Sequence, residues 1–153
     1  MEAETLIELA YREFSCFEKP EHSTNYNHCL ECAEYAELLY NVSRENLSIQ
    51  QIGTELWGPV AFLVPEALAY YLPRLIELAI RDVKNKHGES FTCQFLNQIG
   101  TSSQNDKRFS CLNRNHKEMV YRCFEFLRDN QGKKIEEEFC DDWLYAALEN
   151  WRT

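Results

Sequence analysis

The spacing of apolar residues predicts helices along almost the whole chain. In residues 3–17, Leu6, Ala10, Phe14 and Phe17 recur every three or four positions, which places them on one helical face. The same pattern predicts helices over residues 28–42, 49–57, 65–86, 91–100, 113–130 and 136–151. No segment shows the alternation of a half-buried strand, and no repeat is present. We therefore predict an all-α protein, with residues 1–153 forming a single compact domain of about six or seven helices.

The segment 65–86 should be the central helix, because it has too many apolar residues for a surface helix. Pro65 suits the first helical position, where a missing N–H costs nothing. Pro73 removes an internal hydrogen bond and clashes with the previous turn, so we expect a kink or a break near residues 71–72. Gly88 should end this helix as a left-handed cap.

Helix ends elsewhere are predicted from capping residues. Ser48, Ser90 and Asn113 are the residue types that accept hydrogen bonds from the first helical turn. Gly132 should end the helix that Asn113 begins. Five acidic residues would then occupy the first turns of the last helix, where the helix dipole favours them: Glu136, Glu137, Glu138, Asp141 and Asp142.

Charge is high and unevenly placed. The net charge is −9, from 16 basic and 25 acidic residues. Acidic side chains predominate in residues 1–40 and 135–153, whereas basic ones predominate in 84–134. This balance argues against nucleic acid or an anionic membrane as the main partner, and favours a basic protein. The alternative is that the acidity only keeps the protein soluble.

Cysteine use indicates a reducing compartment. There are seven cysteines, an odd number that cannot all pair within one chain. The N-terminus is acidic and amphipathic, without the basic start and apolar block of a signal peptide, and no apolar run reaches the length of a membrane span. We predict a cytoplasmic protein with reduced thiols.

The stretch "HCLECAEYAE" (residues 28–37) is the densest group of reactive side chains. On a helix, His28, Cys29 and Cys32 would share a face and could bind zinc, although no second ligand pair follows in the chain. A redox role for Cys29 at a helix N-terminus is a second interpretation, which the carboxylates in positions 31 and 34 disfavour. The third is that the cysteines simply pack a helix face.

Two further groups of residues are weaker candidates for a functional site. Glu66 and Tyr70 are four residues apart and could form a hydrogen-bonded acid–base pair or order a kinked helix. His116 could pair with Cys93 or Cys111, although nothing local favours either pair. Nucleophile motifs, phosphate-binding glycine loops and His-Glu-x-x-His are absent, so an enzyme is the less favoured interpretation.

Two segments together carry a resemblance: "HCLECAEYAELL" and "FLVPEALAYYLPRLIELAI". In this order, followed by C-terminal helices that end in tryptophan, they resemble a family of small, uncharacterised bacterial proteins. That family has His-Cys-x-Glu-Cys-x-Glu and Leu-x-Pro-Glu-Ala-x-x-Tyr-Tyr-Leu-Pro segments. The resemblance implies a helical, cytoplasmic bacterial protein and transfers no catalytic residue.

Two hypotheses of function follow. The first is an acidic bacterial immunity protein or inhibitor that neutralises a basic toxin or nuclease, without enzymatic activity and without a cofactor. Its contacts would be the acidic residues of both chain ends: Glu31, Glu34, Glu37, Glu136, Glu137, Glu138, Asp141 and Asp142. The second is a zinc- or ligand-binding protein that uses His28, Cys29 and Cys32. The three tryptophans and eight tyrosines also allow an aromatic interface, including that of a homodimer.

Overall fold

Seven α-helices carry the fold in the computed structural model, which describes residues 1–153. They are α1 (Ala3–Glu13), α2 (Leu30–Leu39), α3 (Ile49–Ile52), α4 (Pro65–Ile80), α5 (Phe91–Phe95), α6 (Arg114–Glu137) and α7 (Asp141–Asn150). A π-helical turn, Leu96–Gly100, extends α5, and short 3-10 turns lie at Arg44–Asn46, Val60–Phe62 and Lys107–Phe109. No strands form beyond two isolated bridges. The prediction of an all-α single domain is confirmed.

Helix α4 is the centre of the molecule, as its apolar composition predicts. Twelve of its 16 residues are buried, and all of these except Pro73 belong to one core cluster of 37 buried residues drawn from the whole chain. Pro65 occupies the first turn. The helix continues through Pro73 without interruption, so the alternative of a break near residues 71–72 is excluded. It ends at Ile80, before Gly88, because Asp82 already adopts the left-handed conformation (φ 50°).

The three predicted N-caps are confirmed. Ser48 accepts a hydrogen bond from the N–H of Gln51, whose side-chain oxygen in turn accepts one from the Ser48 N–H. Ser90 accepts from the N–H of Cys93, and Asn113 from the N–H of His116. Each cap involves residues three apart, which is why the sequence alone could identify it.

The predicted end of α6 at Gly132 is wrong. The helix runs on to Glu137, and a side chain added at Gly132 would meet nothing. A helical glycine costs only about 1 kcal/mol relative to alanine, and burial of Ile135 one turn later offsets this cost. The chain turns instead at Phe139 (φ 60°). Glu136 and Glu137 therefore end α6 instead of beginning α7.

The end of the chain is held by its last aromatic residue. Trp151 is fully buried, and its indole N–H donates to the carbonyl of Ile99 at 3.2 Å. Its ring packs edge-on against Phe109 and Phe124. α7 is thereby fixed against α6 and the π-helical turn. No helix of the protein combines the length and hydropathy needed to cross a membrane.

Candidate functional site

The N-terminus of α2 brings the predicted metal ligands together. Cys29 is the N-cap, with extended backbone, and its sulfur accepts a hydrogen bond from the N–H of Cys32 at 3.4 Å. His28 Nδ1 lies 3.7 Å from Cys32 Sγ. Ligand atoms of all three residues lie within 4.8 Å of one another. Thus α2 begins after His28 and Cys29, later than the residue 28 start expected, yet the cluster still assembles.

The two thiols of this cluster differ in environment. Cys29 is exposed, whereas Cys32 is 4% exposed. The backbone N–H of Cys32, followed by His28, lowers the pKa of Cys29 from 9.0 to about 7. Burial, followed by the neighbouring Cys29, raises the pKa of Cys32. One sulfur is therefore accessible and readily ionised, and the other is shielded.

The donor set of the cluster suits zinc with one position open. One imidazole and two thiolates give three ligands, as in zinc sites that keep a water or substrate in the fourth position. The other nearby donors are engaged elsewhere. His22 stacks on Tyr26 with ring centroids 4.2 Å apart, and Cys16 lies against His116. The cluster can thus do metal chemistry or thiol chemistry.

His116 pairs with neither of the cysteines considered from the sequence. Its Nε2 lies 3.8 Å from Cys16 Sγ and 3.1 Å from the carbonyl of Glu13. Its Nδ1 accepts from the N–H of Asn113, so the proton resides on Nε2 and points at the carbonyl. Burial lowers the pKa of His116, which keeps the ring neutral. It is a structural cap that cannot act as a base toward Cys16.

The Glu66–Tyr70 pair also does not form. Glu66 is exposed, and the Tyr70 hydroxyl instead accepts from the N–H of Arg44 at 3.1 Å. The guanidinium of Arg44 lies over the Tyr70 ring and donates to two backbone carbonyls. Helical spacing puts Glu66 and Tyr70 on one side of α4. The residue that packs against Tyr70, however, is Arg44, which is distant in sequence.

Cys93 and Cys140 form a disulfide, with Cα atoms 5.8 Å apart. This corrects the expectation that all thiols are reduced. The pair links α5 to the turn between α6 and α7, and the remaining five cysteines are free. A separation of 47 residues gives no local pattern by which the sequence could reveal the bond.

The disulfide lies at the edge of a groove of about 810 Å³. The groove is lined by the loop between α3 and α4, the turn before α5 and the start of α7. Its carboxylates are Glu55, Glu89 and Glu138, and its large apolar side chains are Leu56, Trp57 and Trp143. Leu56 is 81% exposed and Trp57 is 77% exposed. The exposure of Leu56 and Trp57 is not evident from the sequence, because their spacing fits a helix, whereas Gly53 (φ 67°) ends α3 before them.

Not all carboxylates of the groove are neutralised. Glu138 pairs with Lys84 at 3.3 Å. Glu55 and Glu89 accept hydrogen bonds from asparagine side chains and have no cationic partner. Burial, and then the charge of Glu89, raise the pKa of Glu55. The groove therefore holds unpaired negative charge beside exposed apolar surface.

The other predicted acidic residues lie on three elements. On α2, Glu34 and Glu37 are exposed, while Glu31 is half-buried and accepts from the Tyr35 hydroxyl at 3.1 Å. Glu136 and Glu137 are exposed at the end of α6. Asp141 and Asp142 begin α7, where the helix dipole favours them.

Comparison with known proteins places the chain in a family. A family model described as a family of unknown function (DUF6714) matches residues 9–153. The chain belongs to this family. No curated protein and no solved structure matches it.

Proposed function

We propose that this protein is an acidic bacterial immunity protein or inhibitor, without enzymatic activity, that binds and neutralises a basic toxin or nuclease. The observation that carries the proposal is the groove in which Glu55 and Glu89 lie beside exposed Leu56 and Trp57. The acidic residues of α2, α6 and α7 would extend the contact and steer the partner.

The apolar part of the groove supplies the binding energy. Tryptophan is enriched among residues that dominate protein interfaces, because a large ring buries much area at little cost in side-chain entropy. Trp57 is 77% exposed, so little of its ring is used by the fold. Its burial by a partner would therefore contribute to affinity.

The charge of the groove selects the partner. Glu55 and Glu89 repel each other and lack a cation. A lysine or arginine of the partner would relieve this repulsion and lower the pKa of Glu55. With a net charge of −9, the whole molecule would also attract a basic protein during diffusion.

Titration calorimetry against a panel of purified basic nuclease toxins, including any encoded beside this gene, tests the proposal. One toxin should bind and lose activity. The W57A and E89K variants should each weaken binding at least tenfold, which corresponds to about 1.4 kcal/mol. E8K is the matched control, because Glu8 is exposed and lies outside the groove. Binding that E8K weakens as much as E89K, or binding to no member of the panel, would contradict the proposal.

A second candidate function, zinc binding, is favoured by the three donor atoms of His28, Cys29 and Cys32 within 4.8 Å. Elemental analysis of protein purified under reducing conditions should then find zinc at one equivalent per chain. The double variant C29S/C32S should lose it, and C16S should retain it. Metal-free protein that takes up no added Zn²⁺ would rule this function out.

A further inference from the structure

Among the five free cysteines, Cys29 and Cys32 have a distinctive arrangement. They are three residues apart at the N-terminus of α2, one exposed and one 4% exposed. Cys123 is buried and Cys111 is half-buried. Cys16 is exposed, but its close neighbour is the imidazole of His116.

From this arrangement we infer that Cys29 and Cys32 are a redox-active dithiol that exchanges with the disulfide bond of a polypeptide. Cys29 is the attacking sulfur, because it is exposed and accepts a backbone N–H bond at the helix N-terminus. Cys32 is the resolving sulfur, because it is shielded from the substrate and within 4.8 Å of the first. Neither cysteine lines the groove proposed to bind the partner.

The exchange balances without any further reactant. Cys29 Sγ attacks one sulfur of the substrate disulfide, forming a mixed disulfide and releasing the first substrate thiolate. Cys32 Sγ then attacks Cys29 Sγ, which forms the Cys29–Cys32 disulfide and releases the second thiolate. Two electrons pass from the dithiol to the substrate. The two thiol protons go to the released thiolates through solvent, and His28 Nδ1, 3.7 Å from Cys32 Sγ, is placed to accept the second.

The geometry allows the ring to close. Cβ atoms of helical residues three apart are about 5–6 Å from each other, and a disulfide requires about 3.5–4.5 Å. Cys29 lies outside the helix as its cap, with φ −163° and ψ 171°, so its side chain can approach Cys32 without unwinding α2. The hydrogen bond from the Cys32 N–H already holds the Cys29 sulfur next to the first turn of α2.

The surface beside Cys29 favours a polypeptide as the source of the disulfide. Leu30, the next residue, is 77% exposed, and Tyr26, in the preceding turn, is 44% exposed. Apolar side chains at this position suit the residues that flank a disulfide in an unfolded or flexible chain. A small, charged disulfide would gain little from them.

The test uses the reduced full-length protein with a metal chelator, which prevents zinc from blocking the thiols. The protein is mixed separately with insulin and with glutathione disulfide, and mass spectrometry of alkylated digests follows each cysteine. We expect a Cys29–Cys32 disulfide in both arms, formed at least tenfold faster with insulin. The C32S variant should accumulate a mixed disulfide at Cys29.

Two variants separate this chemistry from general thiol oxidation. C29S should react at least tenfold more slowly, because Cys32 is shielded, and C16S should match the wild type. Absence of a Cys29–Cys32 disulfide in both arms would overturn the inference, as would equal reaction of C29S and wild type. A faster reaction with glutathione would overturn the polypeptide assignment. Groove variants such as W57A should not change the rate at which the Cys29–Cys32 disulfide forms. Failure of the dithiol exchange is therefore distinguishable from failure of the proposed inhibitor function.

Discussion

The two cysteine pairs of this protein lie in two regions that differ in packing. The exposed corner is the start of α2, with Cys29 and Cys32, and the packed corner is the junction of α5, α6 and α7, with Cys93 and Cys140. Cys29 and Cys32 are three residues apart, on a helix whose neighbouring side chains Leu30, Leu38 and Tyr40 remain exposed. Cys93 and Cys140 are 47 residues apart, and their bond ties α5 to the tightly packed junction of α6 and α7. A pair that closes a long loop stabilises the fold, whereas a local pair contributes little and is free for chemistry.

The largest effect should come from removing the long-range bond. Closing a loop of this length restricts the unfolded chain, so replacing both Cys93 and Cys140 with alanine should lower the free energy of unfolding by about 2–4 kcal/mol. Urea unfolding under non-reducing conditions measures this difference. Wild type in reducing agent should fall towards the double variant, and C16S should stay within about 0.5 kcal/mol of wild type. An unchanged double variant would remove the contrast between the two pairs.

A smaller loss should follow from crowding the packed corner. A methyl group at Gly100 would stand 2.5 Å from the Cβ of Ala147, with the ring of Phe124 at 3.5 Å. We expect G100A to lower the free energy of unfolding by about 1–3 kcal/mol. The control is G132A, on the open side of α6, which should raise it by about 0.5–1 kcal/mol. If both glycines tolerated alanine equally, the corner would be less rigid than its contacts indicate.

What the sequence could predict here was mainly local. The caps Ser48, Ser90 and Asn113 were found because each bond spans three residues. The apolar richness of α4 revealed the central helix. Glycine is a poorer guide: Gly88 and Gly132 suit helix ends, but α4 already ends at Ile80 and α6 continues past Gly132 to bury Ile135. Tertiary contacts decided both cases.

The same limit applied to the candidate sites. His28, Cys29 and Cys32 could be identified because they lie within five consecutive residues at the start of α2. The Cys93–Cys140 bond and the Tyr70–Arg44 contact join distant segments, so they could not be predicted from the spacing of residues along the chain. The groove combines three separate segments, and the exposure of Trp57 depends on where α3 ends. Such features follow from packing of the entire chain.

A still smaller effect is expected at the exposed corner. Serine is as good an N-cap as cysteine or better, so C29S should keep the bond from the Cys32 N–H and change the free energy of unfolding by at most about 0.5 kcal/mol. Alanine at position 29 removes the cap and should cost about 0.5–1 kcal/mol. Thermal unfolding of the two variants, compared at one pH, measures the difference. A loss with C29S as large as that of the Cys93–Cys140 double variant would show that this corner is also structural.

The smallest effect sets the exposed thiol of Cys29 against a free thiol outside both corners, Cys111, by the pH at which each reacts. The pKa of Cys29 is lowered to about 7, whereas burial raises that of the half-buried Cys111. Alkylation by iodoacetamide in the presence of chelator should therefore be half-maximal near pH 7 at Cys29 and above pH 9 at Cys111. Because the folded pKa of Cys29 is depressed, its stabilising contribution is present above pH 9 and is lost as the pH falls through about 7. The H28Q variant removes one of the groups that lower this pKa, so its alkylation midpoint should move up. A midpoint at Cys29 that remained near pH 9 in the wild type would mean that neither the Cys32 N–H nor His28 stabilises the thiolate.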